Sequence, residues 1–185
     1  MSYYPSQGLQ IPVRYRSLTK IETVEEQPVT LLEAKQHLRV DITEDDALIE
    51  RLIEVATDYA ETYCDMTFMM CKYRMKMDAF PYTIRLPRPP ANEGLLKIAG
   101  GSVEIRYQPS DCDQPLVVLD SSHYRYDCSA SPGCIYFRCN DGWPADANMN
   151  QNAVEIDWWA GFGPSPKDVP AKVKHGILML IGQYY

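Results

Sequence analysis

The chain has 185 residues, of which 45% are hydrophobic, and a net charge of −7. That length fits one domain carrying an insertion, with enough apolar content for a real core, and the acidic balance argues against wrapping or coating DNA, where phosphate neutralisation dominates binding. No run approaches the roughly 18–20 apolar residues of a membrane span, and residues 1–16 lack the apolar stretch of a signal peptide, so the chain is expected to fold in a cytoplasm.

Residues 1–27 read as an extended N-terminal arm. Tyr3, Tyr4, Pro5, Pro12 and Tyr15 stand among Gln and Ser without a sustained period. Such a terminus either stays loose or orders against a neighbouring subunit. Thr30-Leu31-Leu32-Glu33 is a capping box, in which the Thr hydroxyl accepts from the Glu33 amide and Glu33 reaches back to the Thr30 amide. Leu31, Ala34 and Leu38 then share one face of a short helix ending near Val40-Asp41. Thr43 is the expected cap of a second helix, with Glu44, Asp45 and Asp46 complementing its dipole. Its apolar positions run from Leu48 through Ile49, Leu52, Ile53, Val55, Ala56, Tyr59 and Ala60 to Tyr63. A stripe that wide predicts contact with more than one neighbour.

From Met66 the period becomes two. Lys72, Arg74 and Lys76 alternate with Tyr73, Met75 and Met77, giving a strand with a basic and an apolar face. The basic face reads either as a surface for phosphate or an acidic partner, or as a solvated strand face, which is the commoner case. A short strand at Thr83–Pro87 ends among Pro87, Pro89 and Pro90. Further strands are predicted around Leu95–Ile98, Val103–Tyr107, Leu116–Leu119, Tyr124–Asp127, Cys134–Phe137 and Ala153–Trp159, separated by turn-formers such as Gly100-Gly101 and Asn140-Asp141-Gly142. A last helix follows, with Pro170 at its first position, Asp168 as cap, and Val173, Ile177, Leu180, Ile181 and Tyr184 on its apolar face. Gly176 and Gly182 weaken it but permit close approach of another helix. It closes on Tyr184-Tyr185 without a cap, so these rings either pack on something or precede further chain.

The fold class expected is α+β: a small helical bundle of two N-terminal helices and a C-terminal helix (28–66 and 164–185), with an inserted antiparallel β-subdomain (67–163). Nothing resembles a catalytic constellation. His37, His123 and His175 fall on separate elements, and no Walker A, G-x-S-x-G, G-x-G-x-x-G or H-E-x-x-H pattern occurs. The acidic triplet Glu44–Asp46 reads as a dipole partner, since it lacks the glycine and terminal glutamate of a calcium loop. Trp143, Trp158 and Trp159 read as core or subunit contact before a binding platform. The six cysteines form no C-x-x-C pair and read as reduced, part-buried thiols, a zinc site from Cys112, Cys128, Cys134 and Cys139 being the alternative. No catalytic residue, cofactor or metal is expected.

PVTLLEAKQHLRVD (Pro28–Asp41), EDDALIERLIEVATDYAETYC (Glu44–Cys64), IRLPRPP (Ile84–Pro90), GWP (Gly142–Pro144), AVEIDWWAGFG (Ala153–Gly163) and the closing VPAKVKHGILMLIGQYY occur in an order and spacing that resembles the head–tail connector (adaptor, or head-completion) proteins of long-tailed bacteriophages and related gene-transfer particles. The arm is longer than the usual lead-in. The usual short polar tail after the final aromatic pair is absent, which implies an end that lies further on or is very short. The resemblance implies a virion protein of the neck at the head–tail interface, assembled in the host cytoplasm. There it forms a ring, typically a dodecamer, beneath the portal protein. It extends the DNA channel and docks a downstream stopper or tail-completion protein, with DNA passing without sequence-specific binding and no membrane involved. An acidic channel wall would repel DNA and let it slide. The excess apolar surface of the helices makes Tyr59, Tyr63, Ile177, Leu180, Tyr184 and Tyr185 the candidate subunit or portal contacts. The alternatives are a tail-completion or stopper protein of the neck, or a small zinc-binding domain.

Overall fold

Two apolar cores, one between β-sheets and one between helices, meet at a short junction. The computed structural model describes residues 15–91, 103–111, 113–129, 131–138 and 142–185. In chain order the elements are β1 (Ser17–Thr23), α1 (Leu31–Leu38), α2 (Asp46–Cys64), β2 (Cys71–Met77), β3 (Thr83–Arg85), β4 (Glu104–Tyr107), β5 (Val117–Val118), β6 (Tyr124–Asp127), β7 (Cys134–Phe137), β8 (Val154–Ala160) and α3 (Ala171–Tyr184). The architecture is the α+β arrangement expected, two helices before an antiparallel insertion and one after it. The strand expected at Leu95–Ile98 and the turns at Gly100-Gly101 and Asn140-Asp141 lie outside the described residues.

A five-stranded sheet has the order β1-β2-β8-β4-β5, and a three-stranded sheet the order β3-β7-β6. β2 and β8 pair antiparallel in unbroken register, from Cys71 opposite Ala160 to Met77 opposite Val154. With a side-chain period of two, Tyr73, Met75 and Met77 share a face with Val154, Ile156 and Trp158. That face packs on Ile84, Ile135 and Tyr124 of the smaller sheet in one continuous core. Trp158 is fully buried and stacks on Tyr73 at 5.7 Å. Trp143 stacks on Phe80 at 4.6 Å and donates to the Pro81 carbonyl. Tyr124 ties the two sheets by donating its hydroxyl to the Val103 carbonyl, and burial pushes that phenol up to about 12. The tryptophans are therefore spent on packing.

The opposite face of the larger sheet is charged. Arg74 and Arg106 both donate to the Asp157 carboxylate, at 2.8 and 2.7 Å, and Lys76 pairs with Glu155 at 2.6 Å. Lys72 pairs with Glu22 of β1 and lies over the Trp159 ring. The basic face of β2 is thus neither an open phosphate surface nor a simply solvated one. It is part of an internal ion-pair ladder whose acids lie on β8 and, for Lys72, on β1.

Part of the arm is ordered as structure: residues 17–23 form β1, the edge strand against β2, with a bulge between Lys20 and Glu22. The α1 capping box forms in both directions. Thr43, however, does not cap α2. A turn carries the Asp46 amide to the Thr43 carbonyl, and the helix starts at Asp46 behind Asp45. Pro170 is likewise the residue before α3, and Asp168 closes a capping box with Ser165 around a short 3-10 turn. The helical core gathers Ala34, Ile49, Ile53, Ala56, Ile177 and Ile181, with Phe68 entering from the sheet side. Cross-helix ion pairs, Lys35 to Asp46 and Lys174 to Glu33, fix α1 against its two neighbours. Of the two glycines in α3, only Gly182 sits close to another helix, its side facing His37 of α1; Gly176 faces open space.

Gly161 ends β8 with φ +109°, where a Cβ would lie 2.5 Å from the Met69 carbonyl oxygen. Both the left-handed backbone and the close approach require glycine. Gly161→Ala is expected to cost about 1–3 kcal/mol, seen as a lower urea midpoint at unchanged slope. A wild-type midpoint would show that this turn tolerates a side chain.

Candidate contact surface and the junction behind it

The α2 sequence sorts its residues onto three sides at about 3.6 residues per turn. Ile49, Ile53 and Ala56 face the bundle core and are buried. Leu48, Val55, Tyr59 and Tyr63 form a second apolar line that stays exposed, with half-buried Leu52 between them. Glu50, Glu54 and Asp58 occupy a third, exposed side, with Arg51 beside them. The Tyr59 and Tyr63 rings lie 6.3 Å apart and nearly parallel. Tyr63 is 80% exposed and Tyr59 52%. The wide stripe read from the sequence is therefore two stripes, one buried in the chain's own core and one exposed.

The other expected contacts separate in the same way. Tyr184 and Tyr185 are exposed at the end of α3, and Tyr185 donates its hydroxyl to Asp45 at 2.7 Å, which lays that end beside the start of α2. Leu180 is half-buried against the helical core. Ile177 is a correction: it is fully buried in the bundle and presents no surface. An i, i+4 pair of isoleucines, Ile177 and Ile181, points at α1 and α2, and this is the face the helix needs for its own stability. Leu48 and Val55 lie on the same exposed line, and their spacing with Tyr59 and Tyr63 separates them in sequence from Ile49, Ile53 and Ala56.

Behind this surface, Glu61 joins α2 to the sheets. Its carboxylate is nearly buried; it accepts from the Phe68 amide at 2.7 Å and pairs with Lys20 of β1 at 3.4 Å. Arg88 donates to the Glu61 carbonyl at the end of α2 and pairs with Asp65. The Thr67 amide bonds the Pro89 carbonyl, and the Gly161 amide that of Pro90. The Arg88-Pro89-Pro90 segment is therefore a clasp in which helix end, loop and sheet each satisfy the others' backbone groups. A cleft of about 170 Å³ lies here, between Leu18, Lys20, Glu61, Tyr73 and Arg88. Asp58 also lines it; of its charged groups Lys20 and Glu61 pair with each other and Arg88 with Asp65.

Among the described residues, no group of three or more His, Cys, Asp or Glu side chains is placed to hold a metal. Cys112 and Cys139, half of the zinc alternative, lie outside them. Cys71 is buried, and burial pushes its thiol up to about 11, which keeps it protonated and inert at neutral pH. No helix of the described residues is long and apolar enough to cross a membrane.

Residues 28–90 match the family of phage gp6-like head-tail connector proteins. The matched segment holds α1, α2, β2, β3 and the clasp, and so includes the exposed Leu48–Tyr63 line and Glu61. No curated protein matches the chain. Solved structures with the same fold cover 91% of it at 20% identity. One is a chain in the neck of an empty GTA particle computed with C6 symmetry, with TM-score 0.72 over 83% of that chain. Another is in the virion of a native gene transfer agent (GTA) particle, at 0.69 over 83%. A third is in the neck of a native GTA particle computed with C12 symmetry, at 0.67 over 82%. The connector resemblance seen in the sequence thus has a family match over α1 to the clasp and a common fold over nearly the whole chain.

Proposed function

We propose that this protein is a structural connector of a phage-like particle. It is a head–tail adaptor that sits in the neck, binds the portal protein and forms a ring of its own copies. The observation that carries this is the coincidence of the connector match at residues 28–90 with a fold shared, over 91% of the chain, with chains of GTA necks and virions. Twelve copies is the ring the resemblance implies, and the C12 symmetry of one such neck supports it. The ring extends the DNA channel and docks a stopper or tail-completion protein. It acts without catalysis. The outward line of Leu48, Val55, Tyr59 and Tyr63, with Tyr184 and Tyr185, is the surface available to portal or neighbouring subunits. A net charge of −7 suits a protein past which DNA must slide.

Imaging of particles that carry this protein tests the proposal. The expected result is density for this fold as a ring directly beneath the portal, and filled heads without tails when the gene is removed. Finding the protein one layer further down would make it a stopper, and finding it absent from the particle would overturn the proposal.

A further inference from the structure

A closed ring is built from one contact repeated head to tail, so each subunit must carry two different, mutually complementary faces. One is available on α2. The second lies on the outer face of the small sheet. Tyr136 of β7 is exposed there, directly opposite Arg125 of β6. Arg138 stands two residues along the same edge of the chain, and Arg85 of β3 is opposite Cys134, two residues back. By the period of two, all four side chains belong to the outer face, since Ile84, Tyr124 and Ile135 point inward and are buried. The basic side chains of β2 and β4 are absorbed by the ion ladder, and those at the clasp by Glu61 and Asp65. Arg85, Arg125 and Arg138 are exposed and make no ion pair with any described residue. Arginines around a tyrosine are the composition of a docking surface for an acidic partner.

The acidic partner of matching kind on this chain is α2. Glu50, Glu54 and Asp58 are exposed and make no ion pair with any described residue, and they form the third side of α2, separated from the line of Val55, Tyr59 and Tyr63 by Arg51. We propose that the arginine–tyrosine face of one copy docks on the acidic side of α2 of the next. This inference rests on the ring reading above and names its contact. A second copy is favoured over DNA because the surface holds only these three arginines within a chain of net charge −7, and α2 offers three unpaired acids to match them. Opposed charges set the register and speed the encounter, while the Tyr136 ring supplies buried area.

Charge reversal tests it on the full chain, by native mass and sedimentation across salt concentrations. Arg125→Glu/Arg138→Glu and Glu54→Lys/Asp58→Lys are each expected to weaken self-association at least tenfold, with unfolding midpoints unchanged. An equal mixture of the two double variants should associate again, because each then offers the face its partner lacks. The chain carrying all four substitutions should also recover. Association unaffected by either reversal, failure of both rescues, or a wild-type chain that stays monomeric throughout would overturn the pairing. So would a normal assembly by Arg125→Glu/Arg138→Glu that has lost binding to a duplex DNA probe, which would assign the face to nucleic acid. Those outcomes leave the neck location standing, since imaging decides that separately.

Discussion

Asp157→Ala is expected to destabilise the protein by about 3 kcal/mol, among the largest losses available from one surface-of-sheet position. The side chain of Asp157 is 4% exposed and receives both Arg74 and Arg106. Removing it leaves two guanidiniums facing each other across β8. They are between a fifth and a third exposed and retain longer contacts to Glu155, so water and that carboxylate offset part of the cost. Hence the lower end of the range for a broken buried pair. Burial by itself raises the Asp157 carboxyl, but the Arg74 hydrogen bonds and the charge of Arg106 outweigh it and hold the group below its ordinary 3.8. A depressed folded value means the stabilisation is complete above 3.8 and is lost as pH falls from there through the folded value. Urea midpoints of the wild type should therefore drop steeply on acidification below about pH 4, and those of Asp157→Asn less steeply. Equal slopes in the two proteins would assign the acid transition to other carboxylates.

How much of this was legible in the sequence depends on how local each determinant is. The α1 capping box spans four residues and needs no tertiary information, and it forms as written. The alternation of β2 and β8 likewise predicts their buried faces without knowledge of the partner strand. β1 escaped because its sequence, SLTKIET, buries little, lies at an edge and is broken by a bulge that interrupts the period. The ion ladder escaped for another reason. Lys72, Arg74 and Lys76 are a basic stripe when read alone; Arg74 and Lys76 are neutralised only when β8 brings Glu155 and Asp157 from some eighty residues away, and Lys72 when β1 brings Glu22. The arginine face is the converse case. Arg85, Arg125 and Arg138 are scattered in sequence and converge only through the pairing of β3, β7 and β6.

The division of apolar surface between core and neighbours makes the last expectation a comparison. Ile177→Ala should cost about 2–5 kcal/mol, since the residue is fully buried between α1, α2 and Phe68 and its loss leaves a cavity. Tyr63→Ala should change the stability of the isolated subunit by no more than about 0.5 kcal/mol, because its ring is 80% exposed and touches chiefly Tyr59. Assembly should show the reverse order. At equal folded fractions, Ile177→Ala subunits should associate like wild type, whereas Tyr59→Ala/Tyr63→Ala subunits should lose about tenfold or more in affinity, as aromatic anchors do at protein contacts. Chemical unfolding of the monomer beside sedimentation of the assembled species gives both readings from one set of proteins. Should Tyr63 prove as costly to the monomer as Ile177, its ring must pack within the subunit, and the second stripe of α2 would belong to the core. Should neither tyrosine affect association, the line of Leu48, Val55, Tyr59 and Tyr63 would face solvent in the particle, and the contact would have to be sought at Tyr184 and Tyr185. The two stripes differ by a single helical step, Leu48 against Ile49 and Val55 against Ala56, so this partition is set by one rotation of α2 against its neighbours.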